Sequence, residues 1–230
     1  MLSFDGLVAR VRDRVGDGTA RVILGITGPP GAGKSTLAEE LSAALRPVPP
    51  AGHPPGEWVA HVPMDGFHLA DAELVRLGRR DRKGAPDTFD RAGYLALLRR
   101  IRADDEPMIY APAFERELEQ PLAGAIGVPA GARVILTEGN YLLLDEPPWP
   151  DVAGALDEVW FCGLAEDVRE ERLVARHVRF GKEPGFARRW VHDVDGPNAE
   201  RVAATRARAD LVVPSEVLED LGTPPPGTLP

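Results

Sequence analysis

Between the apolar run "RVILGIT" and the helix-patterned "LAEELSAALR" lies "GPPGAGKST", residues 28–36. No other feature of this 230-residue chain narrows the possible folds as much. Gly28, Gly33, Lys34 and Ser35 satisfy the pattern G-x-x-x-x-G-K-[ST]. Its glycines let the backbone wrap closely round phosphate oxygens and aim N–H groups at them, and a helix starting just after presents its positive end to the same anion. Such a loop requires a strand before it and a helix after it, and the flanking runs supply both. The expected nucleotide contacts are Gly28, Gly31, Ala32, Gly33, Lys34, Ser35 and Thr36. Lys34 would reach the β- and γ-phosphates, and the Ser35 hydroxyl would hold Mg²⁺.

Strand-like and helix-like runs alternate beyond this point. "EWVAHVPM", "PMIYA", "ARVILTE", "EVWFCGL" and "DLVVP" are strand candidates. "KSTLAEELSAAL", "RAGYLALLRRIRA" and the stretches 165–180 and about 185–208 carry helical spacing, and "MLSFDGLVARVRDRV" is an amphipathic helix. That alternation implies an α/β fold, with a parallel sheet covered by helices. "RPVPPAGHPPGEW" is too rich in Pro and Gly to pack as either element and is expected as a surface loop. One domain is expected over residues 1–222, followed by a disordered tail at 223–230.

Composition removes several function classes. A net charge of −9 disfavours a general nucleic-acid binder, whose footprint is basic. No apolar run approaches the ~20 residues of a membrane span. The N-terminus carries acids and lacks a long apolar centre, so it does not read as a secretory signal, and the expected compartment is the cytoplasm. The lone Cys162 excludes an internal disulfide and a cysteine-built metal site. The expected partner is a small molecule rather than nucleic acid or membrane.

A phosphate loop can serve hydrolysis, switching or transfer. The guanine-reading Asn-Lys-x-Asp of GTPases is absent, as is an LSGGQ-like transporter signature. What remains favours a kinase acting on a small molecule. "HVPMDGFHL" places Asp65 just past a strand, where ligands sit in open parallel sheets. There a carboxylate could take the proton of an attacking hydroxyl or orient it. Asp-Gly after a strand can equally be a plain turn.

Four stretches in order, "GPPGAGKST", "MDGFH", "RKGAPDTFD" and "LTEGNYLL", make residues 20–213 resemble the phosphoribulokinase, uridine kinase and pantothenate kinase family of P-loop kinases. The resemblance implies a three-layer P-loop sandwich with a mostly parallel sheet and a small helical lid. It implies ATP and Mg²⁺ as cofactors, Asp65 as catalytic base, and Glu138 as the acidic residue assisting Mg²⁺. "LLLDE", residues 142–146, offers Asp145 as a competitor to Glu138, but "ARVILTE" is long enough for a buried strand and "LLL" is not. Related folds form dimers; no long apolar stripe here demands one, so a homodimer stays open.

The acceptor segment is closest to the pantothenate kinase version, with a basic-Gly-x-Pro run before Phe89-Asp90. Gly84-Ala85-Pro86 replaces the Asp-His-Pro with which uridine kinases grip ribose, and Phe114, Glu115 and Arg116 stand where those enzymes place a base-contacting His. A pantothenate-, sugar- or nucleoside-like acceptor is expected, with uridine or cytidine less favoured. His68, Lys83, Asp90, Arg116, Asn140 and Tyr141 are its candidate contacts.

Arg169, Arg172, Arg176 and Arg179 recur at intervals of 3, 4 and 3, which places them on one helical face. One reading is a solvated face paired with Glu166, Glu170 and Glu171. The other is a lid over about 172–192, which the resembling family carries here, excluding water and stabilising charge on the transferred group. Arg172 or Arg176 is the expected catalytic arginine, with Arg179 and Lys182 behind them. The rival functions are a nucleotide-gated regulatory protein and a simple NTPase.

Overall fold

The computed structural model describes residues 2–221; the expected tail at 223–230 lies outside the described residues, as does residue 222. The chain begins with α1 (Phe4–Val15), β1 (Val22–Thr27) and α2 (Lys34–Leu45), the phosphate loop joining the last two. β2 (Val59–His61), α3 (Asp71–Arg76) and α4 (Arg91–Ala103) follow. Next come β3 (Met108–Glu115), β4 (Gln120–Pro129), β5 (Val134–Glu138), α5 (Trp149–Gly154) and β6 (Glu158–Cys162). The chain then forms α6 (Glu166–Arg179), α7 (Pro184–Trp190), α8 (Gly196–Ala203), β7 (Leu211–Val213) and α9 (Ser215–Leu221).

Five strands form a parallel sheet in the order β2-β5-β1-β6-β7. Every residue of β1, β5 and β6 is buried, as expected for parallel strands covered on both faces. Alternate side chains feed two cores. Ile23 and Ile135 meet Tyr94, Leu98 and Ile101 of α4 and Trp149 of α5 on one side. Leu24, Ile26 and Leu136 meet Leu37 and Leu41 of α2 and Leu7 and Val11 of α1 on the other. These two cores make the architecture a three-layer α/β sandwich.

Two elements differ from the sequence expectation. "PMIYA" is not a strand of the parallel sheet: β3 pairs antiparallel with β4 in a separate two-stranded ribbon. β4 has no apolar run to announce it; most of its residues are exposed or half-buried, and Gly124 carries a φ of 69°. The helical stretch at 185–208 is also interrupted. A π-helical turn, Val191–Asp195, separates α7 from α8, and only a short 3₁₀ turn, Arg206–Arg208, follows.

Candidate active site

The strand order brings three chain segments to one edge of the sheet. β1 and β5 are neighbours in register, with Ile26 opposite Glu138, so the phosphate loop leaves β1 beside the carboxylate that ends β5. β2 flanks β5 on its other side, and Asp65 follows it on the same edge. Carboxyl ends of parallel strands are where open α/β sheets receive ligands.

Gly28, Gly31 and Gly33 all have positive φ, at 150°, 80° and 85°. A Cβ on Gly28 would fall 2.1 Å from the Cys162 carbonyl oxygen, so the loop can cross the end of β6 only without a side chain there. Lys34 opens α2, is 7% exposed, and its Nζ donates to the Pro29 carbonyl at 3.0 Å. Burial pushes its pKa down, while the Glu138 charge and a lesser one from Asp65 resist. Ser35 Oγ donates to Glu138 Oε1 at 2.9 Å. Ala32 is fully buried, whereas Thr36 lines the cavity over the loop.

Asp65 is held by a 3₁₀ turn, Met64–Phe67, that starts where Pro63 ends the strand direction. Gly66 is required by close approach rather than by a turn: a Cβ there would sit 2.2 Å from the Pro112 carbonyl oxygen of β3. The hairpin thus braces the turn that carries the carboxylate. Arg116, on the loop between β3 and β4, donates to Asp65 Oδ2 at 3.3 Å, and the Asp65 side chain keeps 28% exposure. Burial acts to raise the Asp65 carboxyl, but His68, Arg116, Lys34 and Arg176 more than reverse it, leaving it below its ordinary value and ionised. Glu138 goes the other way: burial, then the Asp65 charge, raise it, and Lys34 and the Ser35 hydroxyl offset only part.

His68 Nδ1 lies 2.8 Å from the Asp65 carbonyl, which can only accept, so the proton sits on Nδ1. The ring packs between Phe89 and Phe114, at 4.1 and 4.6 Å between centroids. Burial lowers its pKa while the Asp65 charge opposes that, and its Nε2 has no hydrogen-bond partner among the described residues.

Two cavities meet here. One of about 610 Å³ lies over the phosphate loop and includes Gly31, Gly33, Lys34, Ser35, Thr36 and Arg172. The other, of about 440 Å³, includes Asp65, His68, Lys83, Asn140, Lys182 and Trp190. Arg116, Arg176 and Phe180 border both. Arg176 has no hydrogen bond or ion pair among the described residues. Burial lowers its pKa, Arg116 adds to that, and Asp195, Asp65 and Glu138 oppose it. A desolvated guanidinium without a counter-ion, at the boundary of the two cavities, is suited to an anion that spans them.

The arginines of α6 divide by depth. Arg169 is 4% exposed and reaches the Pro30 carbonyl of the phosphate loop at 3.4 Å, while Glu166 and Glu170 lie only at 3.9 and 4.0 Å. Arg172 faces the loop cavity, and Arg179 also borders it but is exposed. A solvated, acid-paired stripe therefore does not describe this helix.

Two expected acceptor contacts are employed elsewhere. Asp90 is exposed and caps α4, accepting from the Gly93 N–H at 2.8 Å. Tyr141 is fully buried among Phe89 and Trp149, and its hydroxyl donates to the Gly84 carbonyl. Neither lines either of the two cavities. Asp145 is a surface residue paired with Arg208, whereas Glu138 is buried beside Ser35. The cavity also holds residues that sequence reasoning passed over, among them Asp71, Glu119, His177, Phe186 and Asp195. The clustering of "FGKEPG" and "FARRW" after the arginine helix was the available signal for part of this wall.

The residues present fit a hard divalent cation. Ser35 and Glu138 supply oxygens within hydrogen-bond distance of each other at the foot of the phosphate loop, and Mg²⁺ takes few protein oxygens beside those of phosphates. Among the described residues no cluster of three or more His, Cys, Asp or Glu could hold a metal by itself. No helix among the described residues is long and apolar enough to cross a membrane.

No family profile matches the chain. An ATP-dependent kinase-like protein of Aspergillus versicolor is 34% identical over 160 residues, spanning 66% of this chain and 93% of that protein. A candidate uridine kinase of Schizosaccharomyces pombe is 31% identical over 209 residues, spanning 87% of this chain and 84% of its own. The solved structure of a candidate fructose transport system kinase from Silicibacter sp. TM1040 superposes with a TM-score of 0.81 at 34% identity, covering 93% of this chain and all of that one.

Proposed function

Because this chain belongs to the P-loop kinase family of those uridine kinase-like relatives, and so is an ATP-using phosphotransferase, we propose that its acceptor is a hydroxyl of a small metabolite held against Asp65. The observation that carries this reading is the ionised Asp65 carboxylate in a cavity that adjoins the phosphate loop through Arg116 and Arg176.

Each residue then has a role in one displacement. The acceptor oxygen forms a bond to the γ-phosphorus while the bond from phosphorus to the β–γ bridging oxygen breaks, and the acceptor's proton passes to Asp65. Lys34 and the loop N–H groups hold the phosphates, and Arg176 faces the charge spread over the transferred group. Ser35 and Glu138 would hold Mg²⁺, whose chemistry is to neutralise the phosphates. Segment 172–192, from the C-terminal half of α6 through α7, serves as the lid that excludes water. His68, Lys83, Arg116 and Asn140, which line the same cavity as Asp65, are the acceptor contacts in this reading. The working partner is that small molecule.

The test is an ADP-release screen over pantothenate, nucleosides, hexoses and glycerate, with Asp65→Asn as control. Acceptor-dependent ADP release that the variant lacks supports the reading. Release that needs only water, and that Asp65→Asn leaves untouched, replaces it with a simple NTPase.

A further inference from the structure

The charged groups lining the acceptor cavity can be matched with their counter-ions one by one. Lys83 Nζ pairs with Asp71 at 2.6 Å and also donates to the Glu119 carbonyl. Arg80 shares the same Asp71 at 3.1 Å, and Arg116 pairs with Asp65. Arg176 borders both cavities, and the displacement proposed above assigns its charge to the transferred phosphoryl group. Lys182 alone lines only the acceptor cavity and has no carboxylate within ion-pair distance among the described residues.

What holds Lys182 in place is uncharged. His177 Nε2 lies 3.0 Å from Asp195 Oδ2, so that nitrogen donates and Nδ1 is left as an acceptor. Lys182 Nζ donates to this Nδ1 at 3.0 Å and stands 4.6 Å over the Trp190 ring. Asp195 therefore orients the ammonium through an imidazole without neutralising it. Glu119 and Asp195 are the carboxylates whose charge reaches Lys182, against Arg176 and Lys83, and neither makes a contact with it. Phe186 packs against Trp190 at 5.7 Å, giving the ammonium an apolar wall on that side. Holding a partly desolvated ammonium in a fixed position without a counter-ion is costly unless a ligand supplies one.

We infer that the acceptor is an anionic metabolite, a hydroxylated small molecule whose carboxylate or phosphate pairs with Lys182 while its hydroxyl faces Asp65. This deepens the reading above and rests on it for the hydroxyl, but the anion contact is measurable without turnover. Trp190 makes that possible. Trp58, Trp149 and Trp160 are all at most 1% exposed, so Trp190 is the tryptophan that a ligand in this cavity can reach.

The experiment is a fluorescence titration of the full chain, saturated with a non-hydrolysable ATP analogue, using matched probes. Fructose 6-phosphate is set against fructose, and pantothenate against panthenol. One charged member should bind at least about tenfold tighter than its neutral twin, and which pair does so separates phosphate from carboxylate. Lys182→Met should reduce that preference to within about twofold, and Lys182→Arg should retain it. Trp190→Phe should abolish the signal. Equal binding of neutral and charged twins, failure of both charged probes, or a preference that survives Lys182→Met overturns the inference. Charge preference without ADP release from any acceptor would instead spare the inference and sink the kinase assignment of the hydroxyl.

Discussion

Ser35 and Glu138 stand 103 residues apart, yet Ser35 Oγ donates to Glu138 Oε1 at 2.9 Å, directly below the phosphate loop. Asp145, the rival carboxylate, has a side chain 75% exposed and pairs with Arg208. Glu138→Gln should therefore lower Mg²⁺-dependent kcat by about 10- to 100-fold. Asp145→Asn should leave both kcat and Tm nearly unchanged, because exposed ion pairs contribute only about 0–1 kcal/mol. Steady-state kinetics with a Mg²⁺ titration decides it; the reverse ranking would remove Glu138 from the cation site.

The raised pKa of Glu138 has a signed consequence. Burial and Asp65 favour its protonated form, and a protonated carboxyl is a poor ligand for Mg²⁺. Apparent Mg²⁺ affinity should fall as pH drops, beginning at a higher pH than an ordinary glutamate would show. Mg²⁺ titrations of turnover from about pH 5 to 8 test this. Glu138→Gln should bind Mg²⁺ weakly throughout and lose that pH dependence; an acid limb unaltered in the variant belongs to another group.

Asp65 is held ionised at the acceptor cavity, with Arg116 at 3.3 Å. Asp65→Asn keeps the shape but cannot take a proton. We expect acceptor-dependent kcat to fall by about 10²–10⁴ with nucleotide affinity little changed, read by coupled ADP assay and by titration with an ATP analogue. A variant with full acceptor-dependent turnover would return "MDGFH" to the plain-turn reading.

Arg176 and Arg172 should separate kinetically. Arg176 borders both cavities with no partner among the described residues, while Arg172 faces only the nucleotide side. Arg176→Ala should depress kcat by about 10³ or more, as the loss of an arginine finger does. Arg172→Ala should act mainly on the KM for ATP. An unchanged kcat in Arg176→Ala would demote that residue from the transfer step.

Gly66→Ala tests how the hairpin positions Asp65. The added methyl would lie 2.2 Å from the Pro112 carbonyl oxygen, so the turn must shift. Overpacking of this kind costs about 1–3 kcal/mol, or roughly 2–4 °C of Tm per kcal/mol in a chain of this size. Kcat should drop as well, because the carboxylate moves. Gly154→Ala, with nothing within 4 Å of the new methyl, is the control and should show neither effect in thermal melts or kinetics.

Much of this molecule could be read along the chain. The α4 pattern "RAGYLALLRRIRA" spans Arg91–Ala103 as observed, and the runs at β1, β5 and β6 form continuously buried strands of mostly apolar residues. The β4 strand could not be read, because a ribbon that buries little needs few apolar residues. Asp90 and Tyr141 were plausible acceptor contacts from their neighbours in sequence, but one caps a helix and the other fills the core.

By itself the sequence determined the phosphate loop, the strand–helix alternation around it and the carboxylates at 65 and 138. Those features depend on local conformation and on burial, which leave their mark in spacing and glycine placement. Only the tertiary structure decided which charged side chains answer one another: that Arg169 supports the loop while Arg176 has no partner among the described residues, and that His177 separates Lys182 from Asp195. A long polar side chain takes its role from whichever group lies within about 3 Å. In this fold that group can come from a distant part of the chain, where periodicity carries no information.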